Sequence, residues 1–147
     1  MRKSSIALVL SLAALAASAQ AQDRATILAV FAHPDDETTV APALAKYAAE
    51  GHDVYLATIT SGQAGNANTD IPKGPKLGEA REAESRCSAA ALGIHEPFLL
   101  GFQDGATTPA DTQNAIAARL TEIFEQVRPD IVITWGPDGL TGHPDHR

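Results

Sequence analysis

Cysteine is almost absent: Cys87 stands alone among 147 residues. A single thiol closes no intramolecular disulfide and cannot be half of a paired-cysteine zinc site, so any metal this chain holds must be bound through nitrogen and oxygen. Basic residues are scarce beside acidic ones, 11 Lys and Arg against 18 Asp and Glu, for a formal net charge of −7. That deficit excludes a nucleic-acid binder, which needs a cationic surface to displace the counterions of phosphates. Beyond the first 21 residues no apolar stretch approaches the roughly 20 residues that a spanning helix requires, so no stable membrane span is expected. The turn after the first strand-like segment also lacks Gly-x-Gly-x-x-Gly, which counts against a nucleotide-type domain without metal.

The amino terminus carries a three-part pattern. Arg2 and Lys3 are basic, Ile6 to Ala17 is apolar apart from Ser11, and Ala19-Gln20-Ala21 offers small residues ahead of Gln22. This predicts a cleavable signal peptide over residues 1–21 and a periplasmic or secreted protein. No cysteine follows the apolar run where a lipid anchor would attach. The remaining domain, residues 22–147, is short and buries a modest core.

Four strand-like and three helix-like segments alternate along that domain. Thr26 to Ala32 is a continuous, partly β-branched apolar run, suited to a strand buried on both faces. Ala43 to Glu50 predicts a helix stopped by Gly51, and Val54 to Thr60 a second strand. Ser61 to Pro75 reads as a long, turn-rich loop, of a length that is usually functional or disordered. Leu77 to Leu92 predicts a helix closed by Gly93, Pro97 to Leu100 a short strand, and Gly101 to Pro109 a loop. Thr112 to Val127 predicts a helix with one apolar face, Ile131 to Trp135 a fourth strand, and Gly136 to Arg147 a loop. This β-α-β-α-β-α-β order implies an α/β, Rossmann-like, doubly wound and mainly parallel sheet with right-handed crossovers.

Two chemically dense clusters each follow a strand: His33-Pro34-Asp35-Asp36-Glu37 and His143-Pro144-Asp145-His146. Ligands of open α/β sheets bind beyond the carboxyl ends of the strands, where the strand order reverses. In an order of 3-2-1-4 the first and fourth strands are neighbours, and the two clusters face each other across one crevice. Imidazole and carboxylate are the usual zinc ligands when thiolate is missing, and a catalytic ion keeps one position open for water. His33 and Asp36, three apart around a turn, can address one ion, and His146 or His143 can supply a third ligand. An Asp after a strand also commonly caps the next helix, a reading open to Asp35 and Asp36. Glu37 fits a first-turn residue favoured by the helix dipole. An Arg among glutamates on a helix, such as Arg81, is usually a solvated ion-pair partner.

The first cluster, with Ala32 before it, resembles the signature of the LmbE-like or PIG-L family of N-acetylglucosaminyl deacetylases. The second resembles that family's later motif. Arg81, Glu82 and Glu84 followed by Leu92-Gly93 are similar to its arginine-bearing helix, and Gly101-Phe102-Gln103-Asp104 to its glycine-to-aspartate loop. The resemblance implies Zn²⁺ held by His33, Asp36 and His146. It implies Asp35 as the general base, His143 as the residue that stabilises the oxyanion and protonates the leaving amine, and Asp145 as the carboxylate that orients His143 and raises its pKa. Arg81 and Asp104 would contact substrate near the sugar. The implied reaction removes an N-acetyl group from a glucosamine moiety, so the expected partner is a small N-acetylated sugar or glycoconjugate.

Members of the family run further than Arg147, which predicts that residues 22–147 are the N-terminal portion of the domain, its sheet truncated after the fourth strand. The competing expectation is a catalytically incompetent metal- or sugar-binding fragment of the same fold.

Overall fold

In the computed structural model, which describes residues 24–67 and 69–147, the opening apolar run forms β1 (Thr26–Phe31). It is followed by a 3-10 turn at Asp36–Thr39, helix α1 (Ala41–Ala49), β2 (Asp53–Thr60), α2 (Pro75–Leu92), β3 (Phe98–Phe102), α3 (Ala110–Val127), β4 (Ile131–Ile133) and a 3-10 turn at Pro144–His146. The signal peptide expected over residues 1–21 lies outside the described residues. No helix among those residues is long and apolar enough to cross a membrane.

The sheet order is β3-β2-β1-β4, and the neighbouring strands pair in parallel. Period-two alternation divides β1 between two cores. Ile27, Ala29 and Phe31 pack with Leu44 of α1, Val54 and Leu56, while Leu28 and Val30 pack with Ala57 and with Ile123 of α3. Helices therefore cover both faces, as a doubly wound sheet requires. β1 is the most deeply buried strand because it lies inside the sheet and between both helix layers; Leu28 and Ala29 are fully buried.

The element boundaries shift from the sequence expectation for identifiable reasons. α1 and α2 begin earlier than expected because Pro42 and Pro75 sit in their first turns, where a missing N–H costs nothing. β3 runs on through Gly101 to Phe102: Thr58 pairs with Leu99 and Thr60 with Phe102, so one extra residue bulges out of β3. Gly101, at φ 72°, supplies the left-handed conformation that the bulge uses. β4 ends at Ile133 rather than Trp135, because Trp135 leaves the sheet to pack against Phe31 with ring centroids 5.0 Å apart. Among the described residues β4 pairs only with β1, and Ile131 and Val132 remain 48% and 43% exposed.

Two polar contacts fix where β1 releases its chain. The Ala32 carbonyl accepts from the Thr60 N–H at 2.8 Å and the Thr60 hydroxyl at 2.9 Å. The next residue, His33, leaves the sheet at the β1/β4 boundary, where the connections change direction.

Candidate metal centre

His33, Asp36 and His146 put three donor atoms in a small triangle. His33 Nδ1 lies 3.1 Å from His146 Nε2 and 3.5 Å from Asp36 Oδ2, and His146 Nε2 lies 3.4 Å from the same carboxylate oxygen. Ligands about 2.0–2.1 Å from one tetrahedral ion stand about 3.3 Å apart, so the triangle has the dimensions of a zinc-sized site.

The outer hydrogen bonds of the two rings decide what the inner nitrogens are. His33 Nε2 faces Asp104 Oδ1 at 3.2 Å and Asp145 Oδ2 at 3.3 Å. Ionised carboxylates only accept, so the ring proton belongs on Nε2 and the Nδ1 of a neutral ring presents a lone pair. His146 Nδ1 lies 3.2 Å from the Gly139 carbonyl and 2.9 Å from Thr141 Oγ1, which places its proton on Nδ1 and a lone pair on Nε2. Two imidazole lone pairs and a carboxylate oxygen thus converge at hydrogen-bond distance without a proton to share. Only a cation, or protonation of a ring, relieves that arrangement, and the donor set fits a divalent metal bound through nitrogen and oxygen.

The surroundings hold these atoms from several sides. Asp36 Oδ2 also accepts the His33 main-chain N–H at 2.9 Å, closing the turn that brings the two residues together. Asp145 is buried and accepts from Gly105 N at 2.6 Å and from Thr107 Oγ1 at 2.7 Å. Burial alone would raise its pKa, but these donors hold it below the ordinary carboxylate value; for Asp36 the His33 main-chain N–H, joined by Nδ1–H once the ring is protonated, does the same. Burial disfavours charge on His33, yet in the metal-free site the bond its second proton would make to Asp36, with the negative charge of Asp104, outweighs burial and holds its pKa above the ordinary value. Trp135 stacks on His146, with centroids 5.3 Å apart and planes 27° apart. Gly139, at φ 67°, lies so close that a Cβ there would meet the Cβ and carbonyl oxygen of His146 at 2.9 Å, so only glycine lets this loop close over the ring.

The remaining site residues are placed as follows. A ring nitrogen of His143 lies within 4.8 Å of ring nitrogens of His33 and His146. His143 Nδ1 accepts the Asp145 main-chain N–H at 3.2 Å. The Asp145 carboxylate, expected to orient His143, instead contacts His33, because Gly105 and Thr107 draw it to the far side of that ring. Asp104, expected near substrate, is also buried against His33, and its Oδ2 accepts from Ala64 N at 3.0 Å. Arg81 does not pair with its helical glutamates: it donates to the carbonyls of Pro34 and Gly62 and pairs with Asp35 Oδ2 at 2.8 Å. Asp35 precedes the 3-10 turn with φ 98° and makes no side-chain cap. A left-handed residue other than glycine costs about 1–2 kcal/mol. Partial desolvation of its largely exposed carboxylate, with the charges of Asp36 and Glu37, raises its pKa against the opposing Arg81, which makes it a better proton acceptor. A cleft of about 460 Å³ opens beside Asp35 and Arg81, between α2 and the Ser61–Gly74 loop.

Sequence reasoning missed Glu37, Thr107 and Thr141 as parts of this site. An acidic residue in a first turn and a threonine in a loop are too common to mark a site by themselves.

Residues 28–147 match the family described as GlcNAc-PI de-N-acetylase, PIG-L. The chain belongs to the PIG-L family. A Rhodococcus opacus relative, 1D-myo-inositol 2-acetamido-2-deoxy-alpha-D-glucopyranoside deacetylase, is 37% identical over 142 residues, 82% of this chain and 49% of its own length. The chain thus spans about half the length of the curated relatives it matches. Among solved structures, the N,N'-diacetylchitobiose deacetylase of Pyrococcus horikoshii superposes with a TM-score of 0.72 at 23% identity, covering 99% of this chain and 56% of that one. The 4-carboxy-2-hydroxymuconate hydratase of Pseudomonas putida KT2440 has a TM-score of 0.65 at 22% identity, covering 82% and 50%. At such identities the likeness shows the shared fold, and a deacetylase and a hydratase both stand on it. PIG-L deacetylases are metalloenzymes, in keeping with the donor triangle.

Proposed function

We propose that this chain carries the metal-binding half of a zinc-dependent N-deacetylase acting on an N-acetylglucosamine-type glycoconjugate. The observation that carries the reading is the convergence of His33 Nδ1, Asp36 Oδ2 and His146 Nε2, each lone pair fixed from behind. Those three residues would hold the ion. Once bound, it would polarise the amide carbonyl and make water a nucleophile near neutral pH. The relatives' reported action on N-acetylated glucosamine linked to inositol supports the substrate class.

The chain's own residues supply the rest. Asp35 borders the cleft and takes the proton of the attacking water. His143 accepts the Asp145 N–H at Nδ1, so its neutral ring carries the proton on Nε2, available to the amide oxygen as negative charge grows there. The C–N bond then breaks as the departing nitrogen takes up the proton that Asp35 removed from water, so acetate and the amine leave and Asp35 returns to its carboxylate. Asp145 and Asp104 fix the tautomer of His33. Arg81 lies on the substrate side of Asp35; sugar contact by Arg81 or Asp104 requires each to exchange a protein partner for a substrate oxygen. The basic-apolar-small pattern of residues 1–21 supports action in the periplasm or outside the cell.

The test is acetate release from N-acetylglucosaminyl-inositol and from N,N'-diacetylchitobiose, with and without chelator, in wild type and Asp35→Asn. Expected are chelator-sensitive release and a fall in kcat of about 10²–10⁴-fold in Asp35→Asn, with metal content kept. Release that ignores chelation sinks the metal mechanism. Stoichiometric metal with no release from either substrate would favour a non-catalytic binding module.

A further inference from the structure

Three acidic residues follow one another at 35–37, and the mechanism above uses two of them. The third, Glu37, is also the most buried, at 3% exposure. A carboxylate at that depth persists only where its oxygens are hydrogen-bonded. Glu37 Oε2 accepts the main-chain N–H of Asp35 at 2.9 Å, and Oε1 accepts the Ser88 hydroxyl of α2 at 3.0 Å. The side chain therefore ties the turn after β1 to a helix across the cleft.

What it ties down is the strained residue. Asp35 is at φ 98°, and the polar groups of the main chain around it are taken on both sides. Its carbonyl accepts from Thr38 N at 3.0 Å and Thr38 Oγ1 at 2.6 Å, and the Pro34 carbonyl accepts from Arg81. Relaxation of Asp35 to negative φ would turn its N–H away from Glu37 and swing its side chain out of the present direction. The bond to Glu37 is the contact that such a relaxation breaks first.

We propose that Glu37, seated on Ser88, is a positioning residue that holds Asp35 in its left-handed conformation and so aims the Asp35 carboxylate at the reaction centre. This rests on the reading of Asp35 as the base. A displacement of about 1 Å at a reacting group costs about 10²-fold in rate. Glu37→Ala therefore lowers kcat by about that factor, with KM and zinc stoichiometry little changed. Glu37→Gln keeps an acceptor for Asp35 N–H and a partner for Ser88, and it retains most of the turnover. Ser88→Ala gives a loss between the two.

The experiment is a double-mutant cycle with Asp35→Asn, with amide hydrogen exchange at Asp35 in the metal-free protein as a second readout. Expected is a Glu37→Ala defect that disappears in the Asp35→Asn background. Expected as well is a slow Asp35 amide in wild type and Glu37→Gln that becomes fast in Glu37→Ala. Should Glu37→Ala fail to fold, Ser88→Ala takes its place in both measurements. Equal rate losses in both backgrounds, or an Asp35 amide whose protection does not change, overturn the positioning role alone. Full turnover in Asp35→Asn overturns the base itself and this role with it.

Discussion

The two ends of the sheet hold similar residues and treat them differently. At the carboxyl end of β1 lie His33, Asp36, His143, Asp145 and His146; at the amino end of β2 lie Arg24, His52, Asp53 and His95. At the amino end every group has a partner that uses it up. His52 Nδ1 accepts Ala25 N–H at 3.0 Å, and Asp53 Oδ1 is shared between Arg24 at 2.6 Å and His95 at 3.1 Å, while the His95 ring stacks on Tyr55. At the carboxyl end the partners stand behind the rings and leave lone pairs aimed at one another. Among the described residues, the triangle of His33, Asp36 and His146 and the other groupings close enough to share a metal, His33 with His143 and His146 and His33 with Asp104 and Asp145, all include His33, and none lies at the amino end. A His/Asp cluster is thus a site when its hydrogen bonds point its lone pairs inward, and an ordinary surface ion pair when they do not.

The largest expected effect separates the two ends outright. His33→Ala removes a vertex of the triangle and weakens zinc binding by more than about 100-fold, beyond the cost of losing an outer partner. His95→Ala leaves metal content at the wild-type value. Metal analysis after gel filtration, with zinc titration of the metal-free protein, reads both. Full metal occupancy in His33→Ala places the ion elsewhere and ends the distinction.

The next effect tests the outer contacts. Asp145→Asn removes the charge behind His33 and weakens zinc by about 10–100-fold while the fold persists. Unchanged affinity would assign the tautomer of His33 to Asp104 alone.

The smallest effect belongs to the amino end. The hydrogen bond from His95, assisted by Arg24, holds the Asp53 pKa below its ordinary 3.8. Its stabilisation is therefore complete above that ordinary value and is lost as pH falls through the lower folded pKa. Because the group is solvent-accessible, the contribution is under about 1 kcal/mol and shrinks in salt. Melting temperatures taken down the acid limb should show a slightly flatter dependence for Asp53→Asn than for wild type; a large, salt-independent loss would make this end more than a surface pair.

Much of the fold could be read from periodicity alone. The run from Thr26 to Ala32 marked a strand buried twice over, and alternating segments with stops at Gly51, Gly93 and Pro129 implied parallel pairing. Boundaries moved where one residue serves two structures, as with the bulge at Gly101 and with Trp135, withdrawn from β4 to support His146. Of the site, the sequence identified which residues carry the chemistry: two His-Pro-Asp clusters after strands, in a chain whose single cysteine cannot form a paired-thiolate site. It could not say where Asp145 and Asp104 would turn, or that Glu37 would be buried under Asp35. Motif and spacing are local properties that covalent order and side-chain periodicity convey. The direction of a carboxylate across a gap of 112 residues is set by which backbone donors the packed loops present to it, and only the tertiary structure decided that those of Gly105 and Thr107 would do so.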